Sequence, residues 1–344
     1  MENKIEDFTL VGARHSEETE IIAKPALNFF QDAWRRLKLN KAAVVAMFAL
    51  LVTIIFAVVS SFFVKQEDGN YFNSEEVATF KNLPPKLGNF GLPGWNGYFT
   101  IPGNTESENV YQTQNVPKGK TFVFGTDSLG RSLAKRVIIG LRISLIIAFA
   151  ATLVDLMIGV TYGMVSGWLG GWTDTVMQRI IEVISSIPSL IFVTMLALLL
   201  GQGILSIILA IGLFSWTSMA RQIRNMVLSY KERDFVLAAQ TLGENPFKIA
   251  VKHIIPNISG VIIVQVMFTV PSAIMYEAVL SAINLGVKPP TASLGSLIND
   301  GLQTMQFYPW QVAIPAVVLA LLSLAFIIFG DGLRDAFDPR ASED

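Results

Sequence analysis

The sequence of 344 residues contains no cysteine and only two histidines, His15 and His253. Without cysteine the protein can form no disulfide, no thiolate metal site and no thiol redox centre. Two histidines are also too few for a histidine-based metal site, so we predict no metal site in this chain. The sequence also lacks the phosphate-binding pattern GxxxxGKS or GxxxxGKT, so it cannot hydrolyse ATP by that route.

Charged residues are scarce as well, at 15% of the chain, and the mean hydropathy is +0.50. Both values indicate an integral membrane protein. The first uncharged apolar run covers residues 42–64, and its 23 residues can span a hydrocarbon core of roughly 30 Å. A polar tail and a basic collar precede this run, so we predict a retained helix rather than a cleaved signal peptide. The collar consists of Arg35, Arg36, Lys38 and Lys41.

Further apolar segments complete a predicted all-α integral membrane protein with six transmembrane helices. They cover residues 143–165, 176–200, 205–220, 258–283 and 312–329. Six spans place both termini on one side, and the basic residues of the collar and of 221–252 predict that this side is the cytoplasm. Four basic residues on the opposite side disagree, and we attribute them to an interfacial helix with snorkelling side chains. They are Arg131, Lys135, Arg136 and Arg142.

The segment between the first two predicted spans, residues 65–124, would form an exoplasmic insert rich in proline, glycine and aromatic residues. Aromatic side chains such as Trp95, Tyr98, Phe99 and Tyr111 are uncommon in disordered segments, so a small folded cap is predicted. A passive insert without a function of its own is the alternative.

Four charged residues fall within the predicted spans. Arg179 and Glu182 lie three residues apart near the cytoplasmic end of the third span, where a structural pairing is favoured. Asp155 and Glu277 lie deeper and could line a pore or belong to local polar networks. Because proton-coupled carriers use such carboxylates, a secondary transporter is one alternative for the function.

Glycine recurs at intervals of four in the second span, at Gly159, Gly163 and Gly167. Such a stripe of small residues allows another helix to approach closely. We interpret it as a helix-packing surface and not as a ligand site.

The stretch from Asp234 to Asn257, DFVLAAQTLGENPFKIAVKHIIPN, is polar and basic between two apolar runs. Gly243 tolerates the left-handed conformation that ends a helix, and Asn245-Pro246 suits the start of the next one. The sequence therefore predicts two short helices joined in an elbow. Small side chains at Ala238 and Ala239 would let another protein approach the first helix closely.

The second helix of this elbow is predicted to stop at Pro256, which cannot donate a backbone hydrogen bond. Lys248 and Lys252 share one face of it, directed toward water or acidic lipid. An ordinary amphipathic connector on the cytoplasmic surface is the alternative interpretation.

The spacing within this loop resembles the coupling motif of ATP-binding-cassette (ABC) importer permeases. That motif reads EAA, three residues, Gly, nine residues, and then an apolar pair ending in Leu-Pro. Leu237 stands where the family has Glu, which is a departure. The residues that this resemblance assigns to coupling are Leu237, Ala238, Ala239, Gly243, Ile255 and Pro256.

Other stretches resemble the dipeptide, oligopeptide and nickel permeases within this family. Residues 286–290, GVKPP, and the ending GDGLRD at 330–335 followed by DPR at 338–340 are similar to its later motifs. A GTDxxGRD motif precedes the second span, with Ser132 in place of the acidic residue. The residues of this GTD motif are Gly125, Thr126, Asp127, Gly130 and Arg131.

The resemblance covers about residues 125–340 and implies the C-type permease of an oligopeptide importer with a type I ABC importer fold. It implies a bacterial cell membrane location and a heteromeric complex. The partners would be a second homologous permease, two cytoplasmic ATPases that hydrolyse ATP with Mg²⁺, and an extracytoplasmic peptide-binding lipoprotein. No cofactor is implied in this chain, and no nucleic acid. Dipeptides or nickel are alternative cargoes.

The resulting organisation is a cytoplasmic tail and interfacial segment at 1–41, a first transmembrane helix at 42–64 and the insert at 65–124. An exoplasmic interfacial segment at 125–142 leads into a permease core at 143–330, with the coupling loop at 231–257. A cytoplasmic tail occupies 331–344. A proton-coupled carrier would leave the spacing around Gly243 unexplained, and neither HExxH nor GxSxG is present to indicate an enzyme.

Overall fold

The computed structural model describes residues 29–71, 73–74, 76–88, 94–100 and 106–338. The first part of the predicted N-terminal tail, which includes His15, lies outside the described residues. So do Pro339 and Arg340 of the C-terminal motif.

Almost all regular structure in the described part of the chain is helical. The first helices, which include those of the insert, are α1 (Phe29–Leu39), α2 (Lys41–Phe63), α3 (Gln66–Asn70), α4 (Val77–Phe80) and α5 (Val110–Thr113). The helices of the core are α6 (Leu133–Leu169), α7 (Gly171–Ser186), α8 (Ser189–Leu200), α9 (Ile204–Lys231), α10 (Asp234–Thr241), α11 (Pro246–Ile249), α12 (Ile255–Ala282), α13 (Leu294–Leu302) and α14 (Trp310–Phe337). A π-helical turn, Ala250–Ile254, joins α11 to α12, and strands β1 (Tyr98–Phe99) and β2 (Glu108–Asn109) pair antiparallel.

Five helical units of the described chain are long and apolar enough to cross a membrane, and a bent pair makes up to six. The five are α2, α6, α9, the unit Pro246–Ala282 and α14, while α7 and α8 form the pair. This agrees with the predicted six-helix membrane protein.

The third predicted span, 176–200, is not one straight helix, because α7 and α8 meet at 89°. Proline has no backbone N–H and disfavours the helical conformation in the residue before it. Accordingly Ile187, before Pro188, has φ −83° and ψ 130°, and α8 begins after the proline. A hydropathy pattern does not reveal this bend.

The glycine stripe of α6 lies against α9 and lets the two helices pack closely. A Cβ atom on Gly159 would lie 2.6 Å from the Cβ of Met219, and one on Gly167 would lie 2.8 Å from that of Val227. Side chains at these positions would force the helices apart. The predicted role in helix packing is confirmed.

Helix α6 begins at Leu133, well before the predicted span, so Lys135, Arg136 and Arg142 belong to the first turns of a long helix. Two of these residues are paired rather than snorkelling. Arg142 Nη2 donates to the carbonyl of Val64 at 3.0 Å, which ties α6 to the end of α2. Arg136 is buried in an ion-pair network that is described below.

The described part of the insert has a small hydrophobic core of its own, formed by Phe80, Leu83, Val110 and Tyr111. The hydroxyl group of Tyr111 donates to the carbonyl of Pro84 at 3.0 Å, and burial raises the pKa of this phenol to about 12. Such a core is what the aromatic content predicted.

The insert is attached to the start of α14. The ring of Phe99 stacks edge-on against Trp310 at 4.8 Å between centroids. Gln311 Nε2 donates to Asn82 Oδ1 at 2.9 Å. The cap therefore sits on the N-terminal end of α14.

Candidate functional sites

The predicted elbow is present between α10 and α11. Gly243, between the two helices, has φ +75°, a left-handed conformation that glycine adopts without strain. Asn245 caps α11, because its side chain accepts a hydrogen bond from the Phe247 N–H at 2.9 Å. Pro246 occupies the first turn of α11, where its missing donor costs nothing.

Pro256 does not stop the second helix, which corrects the prediction. The chain continues from α11 through the π-helical turn into α12, so the elbow and the fifth span form one helical unit, Pro246–Ala282. Pro256 lies in the first turn of α12. In the preceding π-helical turn, the N–H group of Ile255 donates to the carbonyl of Ala250, five residues earlier instead of four. The helix thus changes its hydrogen-bond spacing directly before Pro256, which has no N–H group to donate. A movement of the elbow would therefore reach α12 directly.

The inner face of the elbow is packed against the membrane helices. Val236 and Ala239 of α10 join Ile249 after the bend in a cluster with Met219 and Val227 of α9. Ala239 is therefore buried and cannot face another protein, whereas Ala238 is exposed. Of the two alanines, only Ala238 can therefore be approached closely by another protein, as predicted.

The outer face of the elbow presents apolar side chains that the protein itself leaves uncovered. Leu242 is 87% exposed, Phe247 is 76% exposed and Leu237 is 46% exposed. Leu237 is the residue that replaces the family's Glu. Exposed apolar groups of this size on one short segment are typical of a protein interface.

A salt-bridge cluster ties Glu244, at the bend of the elbow, to the second arm. Lys248 Nζ lies 3.3 Å and Lys252 Nζ 3.8 Å from its Oε1, and His253 Nε2 lies 2.9 Å from its Oε2. The hydrogen bond from His253, followed by the two lysines, holds the pKa of Glu244 below its ordinary value. The sequence reasoning missed Glu244, although the four-residue spacing to Lys248 could have indicated the pair.

The GTD motif organises a loop before α6. Asp127 Oδ1 accepts from the N–H groups of Leu129 and Arg131, both at 2.9 Å, while its Oδ2 accepts from Arg131 Nε at 2.7 Å. Arg136 Nη1 donates to the same Oδ2 at 2.9 Å. Thr126 donates to the carbonyl of Phe80 at 2.5 Å. The motif therefore joins the insert to the start of the second span.

The same network continues toward α13 and borders a cavity of about 350 Å³, which Asp127, Arg131 and Asp300 help to line. Arg136 Nη2 lies 3.2 Å from Asp300 Oδ2. Gln311, which contacts the insert, also donates to the carbonyl of Thr126 at 3.0 Å. The sequence reasoning did not connect Asp300 or Gln311 with the motif, because they come from elements far along the chain.

Glu277 belongs to a local polar network and does not line an open path in this structure. It is fully buried, and its carboxylate accepts hydrogen bonds from Ser144 at 3.0 Å, Ser281 at 2.8 Å and Ser293 at 2.6 Å. These serines lie on α6, on α12 and at the start of α13. The sequence left two alternatives for Glu277, a pore-lining position or a local polar network, and the structure shows the polar network.

Asp155 is buried in α6, and its Oδ1 has no hydrogen-bond partner among the described residues. Arg179 and Glu182, in contrast, are exposed and form an ion pair with each other at 2.5 Å. A second pair escaped the sequence reasoning: Arg224 of α9 binds Asp174 of α7 through two hydrogen bonds, each 2.5 Å. This pair fixes the bent segment to the helix core.

In the part of the chain that the structure describes, no group of three or more His, Asp or Glu side chains could hold a metal ion.

Residues 159–343 match the family described as the inner membrane component of binding-protein-dependent transport systems, and residues 28–85 match the N-terminal transmembrane domain of oligopeptide transport permease C. The chain belongs to the oligopeptide and dipeptide permeases of the binding-protein-dependent ABC importers. It is thus a multi-pass inner membrane protein of bacteria that works with ATPase subunits and is not itself an ATPase. The family implies no cofactor in this chain.

Individual relatives agree with this assignment. The chain is 67% identical, over the full length of both proteins, to the dipeptide transport system permease protein DppC of Lactococcus lactis subsp. cremoris. It is 37% identical to the oligopeptide transport system permease protein OppC of Escherichia coli, covering 94% of this chain and 95% of that protein.

A solved structure supports the fold. An inward-facing structure of the MetNI methionine ABC transporter superposes with a TM-score of 0.50 at 18% identity and covers 59% of this chain and 97% of that chain. The family membership excludes the proton-coupled carrier as the working alternative, because the energy source of this family is a partner ATPase.

Proposed function

We propose that this chain is a pore-forming permease subunit of an importer for short peptides, with dipeptides as the principal cargo. The observation that carries this is the 67% identity, over the complete chain, to a dipeptide permease. The relatives named as oligopeptide permeases are far less similar, at 34% to 38% identity. The dipeptide alternative is therefore better supported than the oligopeptide cargo that we expected, and nickel has no support among these relatives.

The complex that we propose contains this chain, a second homologous permease, two cytoplasmic ATPases and an extracytoplasmic peptide-binding lipoprotein. Both termini would lie in the cytoplasm, with the insert outside. The insert would contact the binding protein. Its location on α14 and its exposed aromatic side chains, Tyr98 at 50% and Trp95 at 38%, support this role.

The elbow from Leu237 to Pro256 would dock on an ATPase subunit. Its apolar outer face would enter the partner, while Ala239 and the other buried residues transmit the displacement to α9. Because the second arm is continuous with α12, closure of the ATPases would move the fifth span as a lever. ATP can drive this only if it binds one arrangement of the complex better than the other.

The other predicted site residues would have supporting roles. Gly125, Thr126, Asp127, Gly130 and Arg131 would hold the insert in register with α6, and Glu277 would fix α6, α12 and α13 to one another. Arg179 and Glu182 would be a surface pair. Asp155 would belong to the translocation path, a role supported by its burial and by its Oδ1 atom, which has no hydrogen-bond partner among the described residues.

Uptake by the reconstituted complex tests the cargo. Proteoliposomes that contain both permeases and both ATPases, with the binding protein outside, would be given a labelled dipeptide, a labelled pentapeptide or Ni²⁺. We expect ATP-dependent uptake of the dipeptide that a proton ionophore does not abolish. Preferential uptake of the pentapeptide or of Ni²⁺ would contradict the proposed cargo, and uptake without ATP would contradict the importer mechanism.

A further inference from the structure

A cavity of about 370 Å³ lies over α12, between α9 and the end of α14. Its floor is one face of α12, on which residues three and four apart are neighbours. The floor residues are Val261, Val264, Gln265 and Phe268, and Gln222 of α9 contributes one wall. Because α9 and α12 flank the elbow in the chain, the cavity lies at the end of the helix bundle that carries the elbow.

Three polar side chains at this cavity have no hydrogen-bond or ion-pair partner among the described residues. They are the amide groups of Gln222 and Gln265 and the guanidinium group of Arg334, which lies in the last turn of α14. Both glutamines are partly buried, and Arg334 is exposed. Burying a polar group without a partner is unfavourable, so the two amides indicate a polar occupant.

The polar character of this face continues along α12. Ser272 follows Phe268 by one turn and is exposed, although α12 belongs to a unit long enough to cross a membrane. Hydrocarbon offers no hydrogen bonds to amide or hydroxyl groups. Polar side chains within a span usually face a bundle interior or a water-filled space. This face of α12 therefore suits a hydrated path better than contact with lipid.

The groups at the cavity match the parts of a short peptide. The guanidinium group of Arg334 can bind a carboxylate through two parallel hydrogen bonds. The two glutamine amides both donate and accept, as a peptide group does. Phe268 and Phe337 add apolar surface for a side chain, and the volume lies near the lower end of the roughly 300–1,000 Å³ of ligand pockets. Asp338 also lines the cavity and disfavours a ligand that carries only negative charge.

We propose that this cavity binds the carboxyl-terminal end of a short peptide, with the α-carboxylate on Arg334 and the peptide group on Gln222 and Gln265. This rests on the proposed function, because the peptide would be the cargo of the importer. The floor of the site belongs to the same helical unit as the second arm of the elbow. A movement of the elbow would therefore change the shape of the site and release the bound peptide.

Equilibrium binding of labelled dialanine tests this proposal. The complex of both permeases and both ATPases would be purified without nucleotide and without the binding protein. Unlabelled dialanine, dialanine amide and inorganic phosphate would then compete with the label. We expect dialanine to compete at least about tenfold better than its amide, which lacks the carboxylate, and better than phosphate.

Variants assign this binding to the cavity. Arg334→Gln should lower the affinity for dialanine about tenfold and remove the preference over the amide. Gln265→Leu keeps a side chain of similar size, so it should weaken binding while the preference persists. The matched control Arg35→Gln removes an exposed arginine of α1 that does not line the cavity, and it should change nothing. Co-purification with the partner subunits confirms that each variant is folded.

Several results would overturn the site. These are equal competition by dialanine and its amide, equal competition by phosphate, and wild-type affinity in both Arg334→Gln and Gln265→Leu. Efficient crosslinking of Val261→Cys to the second permease would also overturn it, because a protein surface would then fill the cavity. That thiol would be the only one in this chain.

The same material separates this site from the proposed cargo. Absence of ATP-driven dipeptide uptake by the wild-type importer with its binding protein would refute the cargo. Normal dipeptide uptake without dialanine binding at the cavity would refute the site alone.

Discussion

Truncation of Phe247 to alanine should weaken the binding of the ATPase to the elbow. Complete burial of a phenylalanine side chain stabilises by about 1.5–3 kcal/mol. Because Phe247 is 76% exposed before docking, covering it would contribute about 1–2 kcal/mol. Since about 1.4 kcal/mol corresponds to a factor of ten, Phe247→Ala should weaken the affinity roughly five- to thirtyfold.

The assay is titration of the permease pair in proteoliposomes with the ATPase subunits, with peptide-stimulated ATP hydrolysis as the readout. Phe247→Ala should shift the concentration for half-maximal stimulation by that factor. It should leave the thermal unfolding temperature of the permease unchanged, because removal of an exposed side chain creates no cavity. Phe307→Ala is the matched control, since Phe307 is 49% exposed and lies just before α14, outside the elbow.

Two results would refute this reasoning. If Phe247→Ala and Phe307→Ala gave the same titration as the wild type, the apolar face of the elbow would not be the docking surface. If Phe247→Ala lowered the unfolding temperature as much as the affinity, the residue would act through the fold instead.

The remaining predictions concern three other parts of the molecule. Gly243→Val should abolish ATP-driven uptake while Gly243→Asn retains most of it, because asparagine tolerates φ +75° far better than a β-branched residue. Uptake would be measured with equal amounts of the two variants in the membrane, and equal uptake would refute this prediction. Glu277→Leu should destabilise the folded protein by at least about 3 kcal/mol, because it leaves three buried serine hydroxyls without their acceptor, whereas Glu277→Gln should destabilise it less. Thermal unfolding in detergent is the measurement, and unfolding midpoints that do not differ between the two variants would contradict the network. The lowered pKa of Glu244 means that its contribution to elbow stability is complete above the ordinary glutamate pKa of about 4.3 and is lost as pH falls through the lower folded value. Hydrogen exchange of residues 241–256 between pH 7 and pH 3 should show this loss in the wild type and not in Glu244→Gln, and the same profile in both would exclude Glu244 as the source of that stability.

Sequence alone determined the membrane class, six apolar spans and the elbow, because each depends on local information. Hydropathy identifies a segment that must leave water, and the bend at Gly243 follows from residues that are adjacent in the chain. The glycine stripe of α6 likewise predicts close approach without naming the partner. The coupling spacing and the GTD motif were sufficient to identify the family.

Tertiary structure decided what depends on partners distant in the chain. Only the fold brings Ser144, Ser281 and Ser293 around Glu277, or Gln311 to the loop of Thr126. Only the fold buries Ala239 while it exposes Ala238, because one side of α10 packs on α9. Prolines mark both irregular places in the sequence, but only the structure shows their outcome. The helix bends by 89° at Pro188, between α7 and α8, and it continues past Pro256 through a π-helical turn. Composition fixes which segments are buried in a membrane, but the surfaces that remain for partners and lipid depend on how those segments pack.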